Sequence, residues 1–483
     1  MPEQTLQAQE KMETVDTLIL GGYLVTVDEA DREYPDGALA IRDGRLVAVG
    51  PTAEIAHRYE ASNVINASGK CIFPGLVNTH THLFQTFMKG LGEGIHVHEW
   101  LKVVTTPGIL QMEPDDFYLS AMVGCMEAIR SGTTTLVEYM YPNPRHEMGD
   151  AVLEALVDSG VRALLGRSVA DIGDNDGYPV TAYYADLLEP LDEALQDCAR
   201  LVRACRDRGE GRVTFCLAPP NMRCVEPETF AVFQEFARAH NCIITMHTCE
   251  TARDDEIIGA RHGLRAIEWL EGLGFLASNF LAVHCVHLIE DGIRRFARND
   301  VRVSYNPVSN MYLGNGVAPV ARLLEEGVIV SLGVDGASSN NSQNMLEALK
   351  MGVLLQRAAT QNPGVMSSRD ALRMATIDGA RAIGMAHEIG SLEVGKRADV
   401  LIADFYQPIS APYYNPVSTL AFSSSPQVVD TVLVGGRVVL QDGQVTALNE
   451  RELILRAQQA GRRLALRSYG PQVLELCPAI AAP

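Results

Sequence analysis

The sequence contains no Cys-x-x-Cys pair, although it has ten cysteines. Cys125, Cys198, Cys216, Cys242 and Cys285 each stand alone within apolar segments, without the spacing of a disulfide framework. We therefore expect buried, reduced thiols, as is usual in the cytoplasm. The cysteine-based zinc site of cytidine deaminases is excluded as well, because that site needs a Pro-Cys-x-x-Cys motif. Any metal ion in this protein must be held by histidine and carboxylate side chains.

Long apolar runs and positive charge are also scarce. No run approaches the roughly 20 apolar residues that a membrane-spanning helix needs, and residues 1–16 lack the apolar core of a secretion signal. The formal net charge is -20, because 60 acidic residues outnumber 40 lysines and arginines. Such a surface repels the phosphates of nucleic acids and of anionic lipids. We expect a cytoplasmic protein that acts on a small molecule and binds neither nucleic acid nor membrane.

Both ends of the chain carry the pattern of short strands, rich in β-branched residues and broken by glycines or by Asp-Gly turns. The strand candidates are residues 17–26 (TLILGGYLVT), 38–49, 398–404 and 431–440 (TVLVGGRVVL). We predict that residues 1–70 and 391–483 together build one β-sandwich, and that the second segment also carries a terminal helix.

The middle of the chain, residues 71–390, alternates short apolar runs with longer helical stretches, which is typical of parallel βα units. The eight runs are residues 71–78, 133–139, 161–167, 212–218, 242–248, 280–285, 301–306 and 328–334. Eight parallel strands with intervening helices fit a closed barrel better than an open sheet. We therefore predict an α/β fold in which a (β/α)8 TIM barrel carries the β-sandwich. Catalytic groups of such a barrel lie at the carboxyl ends of its strands.

Residues that can bind a metal ion follow four of these runs. His80 and His82 follow the first run, His247 ends the fifth, His284 ends the sixth and Asp335 follows the eighth. Alternation along an extended backbone sends His80 and His82 to the same face, so both imidazoles can reach one ion. An isolated His-x-His pair is weak evidence, but four histidines and an aspartate at one rim indicate a metal centre. We predict His80, His82, His247 and Asp335 as its ligands.

No lysine occurs between Lys102 and Lys350. A two-metal centre in such barrels commonly needs a carboxylated lysine on a middle strand, so we predict one divalent ion per subunit. Three imidazoles and one carboxylate suit Zn2+, with Fe2+ as the alternative. A water bound to the ion has its pKa lowered from about 16 to about 7, which makes a metal-bound hydroxide available as the nucleophile at neutral pH.

Proton transfer is assigned to Glu250, His284 and Asp335. Asp335 and His284 can orient the bound water and accept its proton, whereas Glu250, three residues after His247, can protonate a ring nitrogen or a leaving group. These three residues are the predicted catalytic groups of a metal-dependent hydrolase.

Candidates for substrate binding lie in loops near the same rim. Gln85 follows the first ligand pair and can hydrogen-bond a heterocycle, and Asn310 lies in the loop NPVSNMYLGNG. Trp100 either closes the pocket or packs in the core. His96 and His98 form a second His-x-His pair on a loop, where lining the pocket and lying on the plain surface are both open.

The motifs PGLVNTHTH, MHTCE, HCVHL, NPVSNMYLGNG and GVDGASSNNSQNM resemble those of the amidohydrolase superfamily, and the resemblance covers nearly the whole chain. The sequence is most similar to the branch that holds atrazine chlorohydrolase, melamine deaminase, 8-oxoguanine deaminase and S-adenosylhomocysteine/methylthioadenosine deaminase. The resemblance implies a homodimer of barrels with one divalent metal each, which remove a substituent from a nitrogen heterocycle by hydrolysis. It places the metal ligands and proton-handling residues at His80, His82, His247, Asp335, Glu250 and His284.

The resemblance also bears on the substrate. Positions similar to the ribose-binding glutamate and histidine of nucleoside deaminases are Ile109 and Pro220 here, which argues against adenosine-type substrates. Gln85 stands where triazine and oxopurine members carry glutamine, and Arg167, at the end of the third run, is available for a carbonyl or an anion. We expect an aminohydrolase that acts on a triazine, purine or pterin-like ring. The alternatives are a chloride, alkylamine or carbamate leaving group, S-adenosylhomocysteine/methylthioadenosine deamination, and a non-catalytic barrel.

Overall fold

The computed structural model describes residues 12–141, 143, 145–171, 187–446 and 448–471 of the 483-residue chain. Its strands belong to two sheets. They are β1 (Glu13–Val25), β2 (Glu33–Arg42), β3 (Arg45–Pro51), β4 (Tyr59–Asn66), β5 (Cys71–Pro74), β6 (Leu76–Thr81), β7 (Thr133–Met140), β8 (Arg162–Arg167), β9 (Val213–Leu217), β10 (Ile244–Thr248), β11 (Phe280–His284), β12 (Arg302–Tyr305), β13 (Val330–Leu332), β14 (Val400–Ala403), β15 (Val429–Val434), β16 (Arg437–Gln441) and β17 (Gln444–Val445).

The helices lie mostly between the strands of the barrel. They are α1 (Thr52–Arg58), α2 (Val97–Trp100), α3 (Thr106–Gln111), α4 (Pro114–Arg130), α5 (Glu147–Ser159), α6 (Leu191–Arg208), α7 (Thr229–His240), α8 (Arg253–His262), α9 (Ala266–Gly272), α10 (Glu290–Arg298), α11 (Pro307–Tyr312), α12 (Val320–Glu325), α13 (Met345–Thr360), α14 (Ser368–Met374), α15 (Ile377–Ala382), α16 (Pro416–Phe422) and α17 (Glu450–Tyr469). Among these described helices, none combines the length and the apolar character needed to cross a bilayer.

An eight-stranded parallel sheet contains β6 to β13 in consecutive order. Its two ends, β6 and β13, meet where the backbone N–H of Asp335 donates to the carbonyl of His80 at 2.9 Å and the Thr79 hydroxyl donates to the carbonyl of Leu332 at 3.0 Å. The sheet is therefore nearly closed, and the predicted (β/α)8 barrel is confirmed. All eight carboxyl ends face the same side, where polar side chains from distant parts of the sequence meet.

The predicted first strand, residues 71–78, is divided between the two sheets. Cys71–Pro74 pairs with β1 and β14 in the outer sheet, whereas Leu76–Thr81 pairs with β7 in the barrel. The prediction of one barrel strand is wrong here, although each of the other seven predicted runs contains a barrel strand. Both pieces are fully buried, and the chain changes sheets at Pro74-Gly75, a turn-forming pair inside the predicted run.

The two ends of the chain form one nine-stranded sheet in the order β17-β16-β15-β14-β5-β1-β2-β3, with β4 also paired to β1. The sheet folds back on itself, because Leu46 N–H donates to the carbonyl of Lys396 and Ala398 N–H donates to that of Gly44, both at 2.9 Å. One apolar core lies inside the fold; its members include Ile19, Leu39, Ile41, Leu46, Ile72, Val400, Ile402 and Leu433. The predicted β-sandwich made from both termini is confirmed.

The Gly-Gly pair that occurs in both terminal segments folds in two ways. In β1, Gly21 has a φ of +85° and the pairing with β2 shifts register between Leu20 and Gly22, which marks a bulge. Gly435 and Gly436 have φ values of +55° and +78° and form the turn between β15 and β16. Positive φ at both central positions is what a tight two-residue hairpin requires, so residues 431–440 are a hairpin rather than one strand.

A buried ion pair joins the barrel to the outer sheet. The guanidinium of Arg162, in β8, donates from Nε and Nη2 to the two carboxylate oxygens of Asp399, at 2.8 and 2.9 Å. Asp399 also accepts the N–H of Gly435 at 2.7 Å, and both charged residues are buried. Burying either charge without the other would destabilise the folded state. This bidentate ion pair therefore favours one orientation of the outer sheet against the barrel.

Candidate metal centre and active site

Four side chains converge at the carboxyl ends of the barrel strands. His80 lies in β6 and His82 just after it, His247 lies in β10, and Asp335 follows β13. Nε2 of His80 and Nε2 of His82 lie 3.5 and 3.3 Å from Oδ1 of Asp335, and Nε2 of His247 lies 3.3 Å from Nε2 of His82. The structure thus brings together all four residues that the sequence predicted as ligands, in two overlapping groups of possible metal ligands: His80, His82 and His247, and His80, Asp335 and His284.

Backbone carbonyls set the direction of two of these imidazoles. Nδ1 of His82 lies 2.6 Å from the carbonyl oxygen of Tyr139, and Nδ1 of His247 lies 2.6 Å from that of Pro220. A carbonyl can only accept, so Nδ1 carries the proton and the lone pair is left on Nε2. Both Nε2 atoms therefore present a lone pair toward the middle of the cluster, as metal-binding histidines do.

The charge state of the cluster also fits a divalent cation. Burial lowers the pKa of His80 and of His82 to about 3 and holds the pKa of His247 far below its usual value, so these rings are neutral at pH 7. Burial opposes ionisation of Asp335, but the imidazoles around it, His80 first, hold the pKa of its carboxyl well below the usual range. His80 Nε2 is buried and has no hydrogen-bond partner among the described residues. Three neutral imidazoles and one carboxylate form a ligand set typical of Zn2+.

The predicted proton-handling groups lie beside this cluster. Nε2 of His284 is 3.9 Å from Oε1 of Glu250 and 3.9 Å from Oδ2 of Asp335, so it stands between the two carboxyl groups. Burial raises the pKa of Glu250 above its ordinary value. A carboxylic acid whose pKa is raised by burial can hold a proton closer to neutral pH, which a general acid needs.

Backbone conformation at the strand ends is unusual. His284, Cys285 and Asp335 have φ values of +72°, +53° and +67°, and Cys249 has +48°. Residues other than glycine rarely adopt such left-handed conformations, and where they occur they mark sites at which a side chain must point in a required direction. Here the reversal turns the chain just after β10 and β11 and just after β13, at the rim of the barrel.

A cavity opens over the cluster. His82, His247, His284, Asp335 and Glu250 form its polar end, and Gln85, Trp100 and Tyr141 also line it. Trp100 is buried and also lines the cavity, so it packs in the core at the cavity wall. Of the second His-x-His pair, the structure places His98 in the lining, with Nε2 at 3.1 Å from the Thr251 hydroxyl.

A correction concerns Arg167, which the sequence offered to the substrate. Its side chain is only 1% exposed, and its guanidinium binds both carboxylate oxygens of Glu189 at 2.7 Å and Oδ2 of Asp197 at 3.1 Å. These contacts tie the end of β8 to α6 and the segment before it, away from the cavity. The guanidinium is already neutralised by two carboxylates, so Arg167 has a structural role.

Asn310 also differs from its prediction. Its Oδ1 lies 3.0 Å from Nδ1 of His284 and its side chain is fully buried, so it contacts the proton-handling histidine rather than the cavity. Sequence reasoning missed the ion pair in the cavity wall, in which Nε of Arg223 lies 3.0 Å from Oδ1 of Asp254. It also missed Ser309, which donates to Asp335, and Asn315, which donates to Glu250. Both of the latter stand in the motif around Asn310, which was the one signal available for them.

Glu138, in β7, is a buried carboxyl group that is not one of the predicted metal ligands. Its Oε2 accepts the N–H of Leu83 at 2.8 Å, and burial raises its pKa to about 8. The ordinary pKa of a glutamate is 4.5, and below that pH Glu138 is mostly protonated in both the folded and the unfolded chain. Between these values only the unfolded chain loses the proton, so the folded state becomes less stable as the pH rises.

We therefore expect Glu138→Gln, which keeps the shape and cannot ionise, to gain stability over the wild type as the pH rises from 5 to 8. The gain should reach about 2–4 kcal/mol, since each unit of pKa shift corresponds to about 1.4 kcal/mol. Urea unfolding at both pH values measures it. An equal difference at pH 5 and pH 8 would contradict the assignment.

Comparison with known proteins identifies the family. Residues 71–439, which include every residue of the metal cluster, match the model of the amidohydrolase family. A shorter match, residues 37–59, is to a bacterial imidazolonepropionase-like composite domain. The resemblance that the sequence motifs predicted is confirmed.

Three similar proteins show the range of this family around the chain. A 5'-deoxyadenosine deaminase of Methanosarcina mazei is 33% identical over 452 residues, covering 94% of this chain and 99% of its own. An adenosine deaminase from Xanthomonas campestris, solved with bound zinc, has a TM-score of 0.87 at 27% identity and covers 94% of this chain and 99% of its own. Triazine hydrolase from Arthrobacter aurescens has a TM-score of 0.85 at 25% identity, with coverages of 92% and 99%. On its sequence, its fold and its His-Asp cluster, the chain belongs to the amidohydrolase family.

Proposed function

We propose that this protein is an aminohydrolase that uses one Zn2+ ion, held by His80, His82, His247 and Asp335, to remove an amino group from a nitrogen heterocycle. The observation that carries the proposal is the position of His284 between Glu250 and Asp335, 3.9 Å from each, directly beside the cluster of neutral imidazoles. This places the carboxyl group of Glu250 next to a ligand set that itself contains the carboxyl group of Asp335, and a hydrolysis with two proton transfers requires two such groups.

The positions of the two carboxyl groups, one on each side of His284, define their roles. A divalent ion at this site supplies a water whose pKa is lowered to about 7. With an ion held there, the ionised carboxyl group of Asp335 would be placed to accept a proton from water, and His284, 3.9 Å from Oδ2 of Asp335, would be placed to hydrogen-bond and orient that water. Glu250, whose pKa is raised, donates a proton to the ring nitrogen as the attacked carbon becomes tetrahedral. The proton accepted by Asp335 would then pass to the amino group, so that the C–N bond breaks and ammonia leaves, while the hydroxyl proton on the same carbon would return to Glu250 as the carbonyl forms.

The cavity supports a flat ring as the substrate. Trp100 and Tyr141 are aromatic walls, and Gln85 offers an amide beside them; its Oε1 is buried without a hydrogen-bond partner among the described residues. An unpaired buried amide oxygen favours a ligand that donates an N–H to it. Ile109 is buried in α3, and Pro220 lines the cavity with its carbonyl engaged by His247, so neither offers a hydrogen bond to a sugar. Aminated purine and triazine rings without a sugar are therefore the first candidates.

A nucleoside is the second candidate. The relative from Methanosarcina mazei is named for 5'-deoxyadenosine, and the wall of the cavity also carries the charged pair Arg223–Asp254 and the neutral imidazole of His98. Charged and hydrogen-bonding groups in a pocket wall can bind hydroxyl groups beyond the ring. These wall groups are the observation that favours a ring carrying a hydroxylated substituent, such as a sugar.

Ammonia release from a panel of rings tests the proposal. Metal-loaded protein is incubated with guanine, aminated triazines, adenosine and 5'-deoxyadenosine, alongside chloro- and alkylamino-triazines. We expect ammonia from at least one aminated ring, with kcat/KM at least about 100-fold higher than for the halogenated or alkylated analogue. Faster release of chloride or alkylamine would reject the aminohydrolase, and no hydrolysis of any ring by protein with stoichiometric zinc would favour a non-catalytic barrel.

The assembly and the location of the protein stay predictions. We propose a homodimer of 52.6 kDa chains in the cytoplasm, in line with the resemblance and with the reduced cysteines expected from the sequence. Light scattering of the purified protein distinguishes the dimer from the monomer.

A further inference from the structure

We infer that one short segment, Ser309–Asn315, positions all three proton-handling groups, and that Asn315 is the residue that aims Glu250. The inference deepens the proposed function and rests on it. The segment comprises the end of α11 and the turn that follows. The segment contains no carboxyl group and no imidazole, so it acts on proton transfer through hydrogen bonds to other residues.

Three side chains of this segment each bond to a different proton-handling group. The Ser309 hydroxyl donates to Oδ2 of Asp335 at 2.5 Å. Oδ1 of Asn310 lies 3.0 Å from Nδ1 of His284, and Nδ2 of Asn315 donates to Oε1 of Glu250 at 2.8 Å. Asp335 and Glu250 accept these hydrogen bonds, whereas His284 donates to the amide oxygen of Asn310. The three proton-handling groups come from three separate strand ends, and this one segment contacts all of them.

The segment itself is held on both sides. The backbone N–H of Asn315 donates to the carbonyl of Asn310 at 2.9 Å, which closes the turn. The carbonyl of Asn315 lies 3.1 Å from Nε2 of His287, and the N–H of His287 donates to the carbonyl of Cys249 at 2.8 Å. Because Cys249 directly precedes Glu250, the turn is connected to Glu250 through its backbone as well as through its side chain.

Asn315 determines which oxygen of Glu250 is available for chemistry. Its amide occupies Oε1, the oxygen that is also 3.9 Å from His284, and thereby fixes the plane of the carboxyl group. Oε2 is left to carry the transferred proton to the ring. Without the amide, the terminal torsion of a glutamate is free to rotate, because that torsion has only broad preferences. A displacement of about 1 Å in a reacting group lowers a rate by about 100-fold.

A double-mutant cycle tests the inference with the metal-loaded enzyme and the best substrate of the panel. Asn315→Ala is expected to lower kcat by about 10- to 100-fold, with KM within about twofold and zinc content unchanged. Asn315→Asp, which keeps the size and removes the donor, should lose at least as much. In the Glu250→Gln background, Asn315→Ala should cost nothing further, because its effect acts through that carboxyl group. Met311→Ala, at an exposed position of the same segment, is the matched control and should keep the wild-type kcat.

Two outcomes would overturn the inference. One is a wild-type kcat in Asn315→Ala; the other is the same fold-loss in the Glu250→Gln background as in the wild type, since an additive loss indicates a general structural role. Crystal structures of the variants add a readout that needs no substrate. Glu250 should leave its position beside His284 in Asn315→Ala and keep it in Met311→Ala. A Glu250 that stays in place rejects the inference even if the proposed activity is absent, which separates the two failures.

Discussion

Glu250→Gln is expected to lower kcat by about 100- to 10,000-fold while the protein keeps stoichiometric zinc. Glutamine has the shape of glutamate and its Oε1 can still accept the hydrogen bond from Asn315, so the pocket is preserved. The substitution removes only the acidic proton that the ring nitrogen needs as the attacked carbon becomes tetrahedral. Steady-state ammonia release gives kcat and KM, and elemental analysis gives the metal content.

The role of Glu250 follows from which kinetic parameter changes, kcat or KM. A loss confined to kcat, with KM nearly unchanged, means that an interaction specific to the transition state is gone. A raised KM with a normal kcat would instead make Glu250 a simple binding residue. Activity within a few-fold of the wild type would refute its role as the general acid.

The second large effect is expected for His247→Ala, which should lose metal and activity together. The change removes one of three imidazoles from the cluster and leaves His82, 3.3 Å away, without its neighbour. Loss of a group that merely supports a ligand weakens metal binding by about 10- to 100-fold, so loss of the ligand should cost at least that much. Competition with a chromophoric chelator measures the zinc affinity.

His98→Ala is the matched control for this experiment. His98 is a histidine of the same cavity, but it bonds to Thr251 and lies outside the cluster. Its variant should keep the zinc affinity of the wild type. Stoichiometric zinc of undiminished affinity in His247→Ala would show that the ligand assignment is incorrect.

The positions of the cluster were accessible from the sequence because they follow a general rule. His80, His82, His247 and Asp335 stand directly at or after apolar runs, and parallel strands of a barrel bring their carboxyl ends to one rim. The strand ends could therefore be located without knowing how the helices pack. Glu250 followed from its distance of three residues from His247.

The supporting contacts were not accessible in the same way. The carbonyls that orient His82 and His247 belong to Tyr139 and Pro220, and a backbone carbonyl leaves no mark in a sequence. Arg167 was misplaced because strand alternation does not say which polar residue at a strand end meets a carboxylate from a helix. The role of Asn310 depends on a contact across 26 residues of chain, which only the fold supplies.

The passage of the chain from β5 into β6 has a consequence for the stability of the metal site. Only Gly75 separates the two strands, and a side chain there would collide with Thr134, since its Cβ would lie 2.2 Å from that side chain. His80 and His82 thus lie at the end of a continuous β5–β6 segment whose other end, β5, pairs with β1 from the beginning of the chain and with β14 from its end. We expect fusions or deletions that loosen the outer sheet to weaken metal binding at the proposed site before the barrel itself unfolds.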